Sequence, residues 1–87
     1  MVSDSVIYVC SEGMQMKSTA LLIQKASTFY STIHISRGDR RANAKSLLGV
    51  MSLGIEDGME LTVTAEGPDE VAALEQICGY LTNPSEM

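Results

Sequence analysis

His34 is the only histidine in the 87-residue chain, and it stands between Ile33 and Ile35. A neutral imidazole can attack a phosphoryl group, bind a metal or relay a proton near pH 7. The alternation around His34 predicts a half-buried strand with both isoleucines inward and the ring outward. No second imidazole or acidic cluster lies near it in sequence, so neither catalysis nor metal binding is expected there. Cys10 and Cys78 show neither C-x-x-C spacing nor paired histidines, so no metal and no zinc site is expected. A bridge between them can be drawn on paper; two half-buried thiols in a reducing cytoplasm are the expectation. Arg37-Gly38-Asp39 spells an adhesion tripeptide but reads as turn chemistry. Asn83-Pro84-Ser85 is excluded as a glycosylation site by its central proline. Met14, Met16, Met51 and Met59 suit either a plastic binding surface or core packing. Ser46 directly precedes Leu47, Leu48, Val50, Met51 and Leu53, and its hydroxyl can cap a brief helix. No glycine-rich phosphate loop, nucleophile elbow or acid pair is present.

The elements that must carry these residues follow from periodicity. Residues 5–10, Ser-Val-Ile-Tyr-Val-Cys, predict a strand broken by Ser11-Glu12-Gly13. Met16, Ala20, Leu21, Leu22, Ile23 and Ala26 predict a helix over about 16–28, with Lys17, Gln24 and Lys25 on its far side. A strand over 29–36 turns at Gly38-Asp39, glycine first, into a return strand over 40–44. The Ser46 helix ends toward Gly54 and Gly58, and Met59, Leu61, Val63 and Ala65 mark the clearest strand. Gly67-Pro68-Asp69-Glu70 predicts a helix start with acids near the positive end of the dipole, and Val71, Leu74, Ile77, Cys78 and Leu81 continue it. Four strands and three amphipathic helices in this order predict a two-layer α+β sandwich, helices on one face of an antiparallel or mixed sheet.

Composition bounds the function classes. With 45% apolar residues the chain can bury one modest core, and it is read as a single domain over 1–87. No apolar run approaches the roughly 18–20 residues needed to span a bilayer. The start, Met1-Val2-Ser3-Asp4, lacks the basic and apolar segments of a signal peptide, so a cytoplasmic location is expected and a membrane is not. Net charge −5 disfavours direct nucleic-acid binding. The charge is bipolar: all six basic residues lie between 17 and 45, while residues from 54 onward hold eight acids and no base. Such a molecule either has an ordinary acidic solvated end or steers an oppositely charged partner to one face.

The run Asn43-Ala44-Lys45-Ser46-Leu47-Leu48-Gly49-Val50-Met51-Ser52-Leu53-Gly54 goes further. It resembles, nearly residue for residue, the regulatory serine region of the histidine-containing phosphocarrier (HPr) family of the bacterial sugar phosphotransferase system. The resemblance extends to Ala20-Leu21-Leu22-Ile23-Gln24-Lys25-Ala26-Ser27 and to the closing segment from Gly67 to Leu81. It implies that family's open-faced sandwich: a four-stranded antiparallel sheet covered on one face by three helices. The family's carrier motif is Gly-Ile-His-Ala-Arg-Pro-Ala. This chain reads Gly13-Met14-Gln15-Met16-Lys17-Ser18-Thr19-Ala20, so the resemblance sets Gln15 where the histidine belongs, Lys17 for the arginine and Ser18 for the proline.

A glutamine amide delocalises its nitrogen lone pair into the carbonyl and is a poor nucleophile, so no phosphoramidate relay is expected at Gln15. Its amide can still cap a helix or donate to a partner. The resemblance makes Ser46 a substrate of the ATP-dependent HPr kinase/phosphorylase. It is similar to the catabolite-repression HPr-like (Crh) branch, which has glutamine at this place and acts, when serine-phosphorylated, as co-repressor with the catabolite control protein A-type transcription regulator. That branch generally keeps the arginine and proline that are Lys17 and Ser18 here. The implied protein is a non-enzymatic adaptor without a cofactor. Its partners would meet Gln15, Lys17, Ser46, Leu47, Leu48 and Met51, and it would be a monomer or a strand-swapped homodimer. The competing readings are a phosphocarrier component of sugar uptake and an unmodified decoy on HPr-binding surfaces.

Overall fold

The computed structural model describes residues 1–9 and 15–82, with the side chains of 15–18 left aside. The elements run β1 (Val2–Ile7), α1 (Gln15–Ser27), β2 (Thr32–Arg37), β3 (Arg40–Asn43), α2 (Leu47–Ser52), β4 (Glu60–Glu66) and α3 (Glu70–Thr82). The strands form one sheet in the order β1-β4-β2-β3, antiparallel throughout. The last strand in sequence thus lies between the first two, and the helices close over one face, the α+β open-faced sandwich expected from the sequence.

Period-two alternation decides which face is dry. In β4, Leu61, Val63 and Ala65 are completely buried beneath the helices, while Thr62 and Thr64 point to the other side. Their register partners Ile33 and Ile35 on β2 are equally buried. Leu22 and Ala26 of α1, Val50 of α2 and Ala73, Ile77 and Leu81 of α3 fill the space above. Burying each large aliphatic side chain contributes roughly 1.5–3 kcal/mol. The uncovered face is polar, with Ser5 and Thr62 joined hydroxyl to hydroxyl at 2.9 Å.

Three boundaries differ from the sequence expectation, each for a long-range reason. The first strand spans 2–7 rather than 5–10, because its register is set by β4, from Val2 opposite Ala65 to Ile7 opposite Glu60. Tyr8 and Val9 leave the sheet, donating their amides to the carbonyls of Met59 (2.8 Å) and Leu81 (2.9 Å); Cys10 lies outside the described residues. Strand β2 begins at Thr32 rather than 29, because the amides of Tyr30 and Ser31 are taken by the Asp69 carboxylate at 2.9 Å each. Helix α3 begins at Glu70, so Pro68 and Asp69 sit in the turn before it rather than in its first turn. Asp69 still stands at the helix entrance, its carbonyl accepting from the Ala73 amide at 2.9 Å with Glu70 the acid of the first turn, while its carboxylate reaches the loop after α1. Its carboxylate also accepts from the Ser31 hydroxyl, which in turn accepts from the Asp69 amide at 3.2 Å. Gly67, with φ of 151°, makes this joint possible: a Cβ there would lie 2.7 Å from the Ser31 Cα.

Candidate functional site

Helix α2 is short and its entrance is built from local hydrogen bonds. The Asn43 side chain accepts from the Lys45 amide (2.8 Å), and the Asn43 carbonyl accepts from the Ser46 amide (3.0 Å). These hold Ser46 in the extended conformation of an N-cap, φ −110° and ψ 113°. Its Oγ accepts from the Gly49 amide at 3.2 Å, and its carbonyl takes the first helical bond from Val50 at 3.0 Å. The predicted cap is therefore present. Gly49 also keeps the hydroxyl uncrowded, since a Cβ there would come within 3.3 Å of Oγ. Lys45 is drawn aside, its Nζ donating to the Phe29 carbonyl at 2.7 Å beyond the end of α1.

The apolar residues of α2 divide in two. Val50 and the following Leu53 are sealed into the core, while Leu47, Leu48 and Met51 are 42%, 81% and 43% exposed. Three large apolar side chains thus form an exposed patch beside the half-buried Ser46. The far end of the helix is held by two residues that periodicity did not single out. Arg37 Nη1 donates to the Leu53 carbonyl at 2.7 Å, and Arg40 Nη1 donates to the Ser52 carbonyl at 3.1 Å. Cations at a helix C-terminus satisfy its orphan carbonyls and oppose the dipole. A signal for this was available: β-alternation sets 37 and 40 on the same face as Ile35 and Ala42, toward α2.

The remaining candidates lie elsewhere. Gln15 and Lys17 fall in the first turn of α1, which packs against α2; their side chains, like those of Met14 and Met16, lie outside the described residues. Met59 is half-buried just before β4. His34 is on the open face of the sheet, as its alternation predicted, away from α2. Arg41 Nη2 lies 3.1 Å from its Nδ1. A guanidinium can only donate, so Nδ1 holds the lone pair and the neutral ring carries its proton on Nε2. Partial burial, then the Arg41 charge, lower the His34 pKa below its ordinary value. Cys78 is a free, half-buried thiol, its pKa raised first by burial and then by Asp4. Among the described residues no group of three His, Cys, Asp or Glu side chains could hold a metal ion. No helix among them is long and apolar enough to cross a membrane.

Comparison with known proteins agrees with this arrangement. Residues 2–83 match the family model described as the PTS HPr component phosphorylation site. The phosphocarrier protein HPr of Treponema pallidum is 44% identical over 86 residues, covering 99% of this chain and 98% of that protein. The HPr-like protein Crh of Bacillus subtilis is 37% identical over 81 residues, covering 93% of this chain and 95% of that protein. A crystal structure of B. subtilis Crh, described as a dimer with a swapping domain, superposes with a TM-score of 0.73 at 33% identity, over 87% of this chain and 83% of that one. The crystal structure of HPr from Bacillus anthracis superposes with a TM-score of 0.89 at 37% identity, over 93% of this chain and 96% of that one. With its sheet order, its capped serine helix and its near-complete match to the family model, the chain belongs to the HPr family.

Proposed function

We propose that this protein is a cytoplasmic, non-catalytic regulatory adaptor of carbon catabolite repression, switched by phosphorylation of Ser46. The observation that carries the reading is the pairing of Gln15, in the carrier position by resemblance, with a capped Ser46 beside the exposed Leu47, Leu48 and Met51. In the modification, Ser46 Oγ attacks the γ-phosphorus of ATP as the HPr kinase/phosphorylase holds it. The P–Oγ bond forms, the bond to the ADP oxygen breaks, and the hydroxyl proton passes to the kinase. The product carries about −1.5 to −2 charges. At the start of α2 that anion meets free amides and the positive dipole end, adding roughly 0.3–1 kcal/mol to the helix. The backbone has no reason to move. What changes is recognition: an anion now adjoins an apolar patch, the combination that a transcription regulator of the catabolite control protein A type would read with Arg or Lys and a hydrophobic pocket. Gln15 and Lys17 would contribute the edge of this surface from α1. The naming of B. subtilis Crh supports the reading. Homodimerisation by exchange of β1, an edge strand paired only with β4, is part of it.

Incubation with a cognate kinase and ATP, followed by peptide mass spectrometry, tests the proposal; an unmodified Ser46 would falsify it. The HPr naming of the T. pallidum relative favours a second reading, a phosphocarrier component of sugar uptake. Retention of label from phosphoenolpyruvate through the upstream phosphotransferase would establish that reading instead.

A further inference from the structure

We propose that Arg37 and Arg40 form a cationic second half of the α2 docking surface, fitted to a carboxylate-bearing patch on a partner protein. The inference rests on the reading of α2 as the docking face and deepens it by giving the partner's chemistry. Arg37 and Arg40 are direct register partners across the β2–β3 hairpin. Like charges so placed destabilise a ladder, so the pair is not explained by sheet formation. Each guanidinium donates to a terminal carbonyl of α2, at 2.7 and 3.1 Å, and this fixes both at that end of the helix. A guanidinium has five N–H donors, and the bond to a carbonyl uses one. Among the described residues neither arginine has a carboxylate within ion-pair distance; the ion pair found there joins the N-terminus to Glu70. Nor is general solubility the reason for positive charge here, because the chain is acidic overall, with net charge −5.

The placement is what gives the pair meaning. Helix α2 spans six residues, about 9 Å at 1.5 Å per residue. Ser46 caps one end, Arg37 and Arg40 hold the other, and Leu47, Leu48 and Met51 are exposed between them. Once Ser46 is phosphorylated the surface is bipolar along the helix, anion, apolar centre, cation. A partner must answer with Arg or Lys opposite Ser46 and Asp or Glu opposite the two arginines, which sets its orientation and rejects the reversed docking. A nucleic acid fits this surface poorly, since the apolar centre offers its phosphates nothing and the phosphoserine repels them. Arg41 supplies a control: it carries the same charge but alternates to the open face beside His34.

The test uses the full chain with the HPr kinase/phosphorylase, measuring KM for the protein substrate against NaCl concentration. Arg40 is exposed, so its variants are the informative ones. Arg40→Glu should raise KM about tenfold at low salt, the order expected when one member of a close interfacial charge pair is reversed. Arg40→Gln should raise it less and flatten the salt dependence, Arg40→Lys should restore most of the effect, and Arg41→Gln should match the wild type. Circular-dichroism melts of each variant confirm that the fold is retained. Unchanged KM and salt dependence in both Arg40→Gln and Arg40→Glu, with Ser46 still phosphorylated, would overturn this inference and leave the proposed function standing. Equal effects of Arg40→Gln and Arg41→Gln would overturn it in favour of overall charge. Loss of self-association in sedimentation of Arg40→Glu, with KM unchanged, would overturn it in favour of a second copy as occupant. A wild-type chain that the kinase leaves unmodified would remove both readings together.

Discussion

Leu48 and Val50 lie two residues apart on one short helix and should respond in opposite ways to truncation. Val50 has no exposed surface, so Val50→Ala removes two methyl groups from a sealed core. At about 0.8 kcal/mol per buried carbon, with a cavity term added, the cost is roughly 2–3 kcal/mol. Leu48 is 81% exposed, so only about a fifth of its surface is buried in the free protein. Leu48→Ala should then cost roughly 0.3–0.6 kcal/mol, that fraction of the roughly 1.5–3 kcal/mol for a fully buried leucine. The same side chain becomes buried when a partner covers α2. Its loss there should weaken binding by about 2 kcal/mol, close to thirtyfold in Kd. Urea denaturation gives the first quantity, and titration of the kinase or of the transcription regulator gives the second. A Leu48→Ala variant that unfolds as early as Val50→Ala, or that binds both partners with wild-type affinity, would refute the assignment of this face to docking.

Ser46→Ala should destabilise the protein by about 1 kcal/mol through loss of the N-cap, while Ser46→Asp should retain most of that stability because a carboxylate oxygen can accept the same Gly49 amide. Thermal melts of the two variants check this. His34, as the only histidine, gives a single imidazole titration by NMR, which should fall below the ordinary value of about 6.5 and rise in Arg41→Ala. Because the folded state favours the neutral ring, its contribution to stability is present above that ordinary value and is lost as pH falls through the folded one. The Asp69 pKa is lowered by the Ser31 hydroxyl first and then by the Tyr30 amide, so stability present above about pH 4 should decline as pH falls through the folded value, and Asp69→Asn should blunt that decline. Gly67→Ala must push a methyl group into the Ser31 backbone at 2.7 Å, with an expected cost of about 1–3 kcal/mol in chemical denaturation.

What the sequence made legible was local. Ile33, Ile35, Leu61, Val63 and Ala65 declare their face by alternation, and all five are buried as expected. Ser46 announces a cap by standing directly before an apolar run, and the bond it forms spans three residues. What escaped was settled across the fold. The start of β2 depends on Asp69, 38 residues from Ser31, and no pattern within Phe29–Thr32 encodes that partner. The register of β1 is imposed by β4, because Ser3, Asp4 and Ser5 give the edge strand little hydrophobic alternation of its own. Arg37 and Arg40 read as charge on a turn until the topology brings the end of α2 over them. Leu47, Leu48 and Met51 are singled out through the family resemblance and not by pattern, since the apolar run 47–53 does not itself tell them from Val50 and Leu53, which the fold buries.

The most direct measurement offers the intact protein two phosphoryl donors in parallel and asks which side chain retains label. One reaction contains radiolabelled ATP and the HPr kinase/phosphorylase; the other contains radiolabelled phosphoenolpyruvate and the upstream phosphotransferase. Acid-stable label on Ser46 from ATP alone is the predicted result. Acid-labile label from phosphoenolpyruvate that passes onward to a sugar-uptake protein, or a Ser46 left bare by the kinase, would contradict the account.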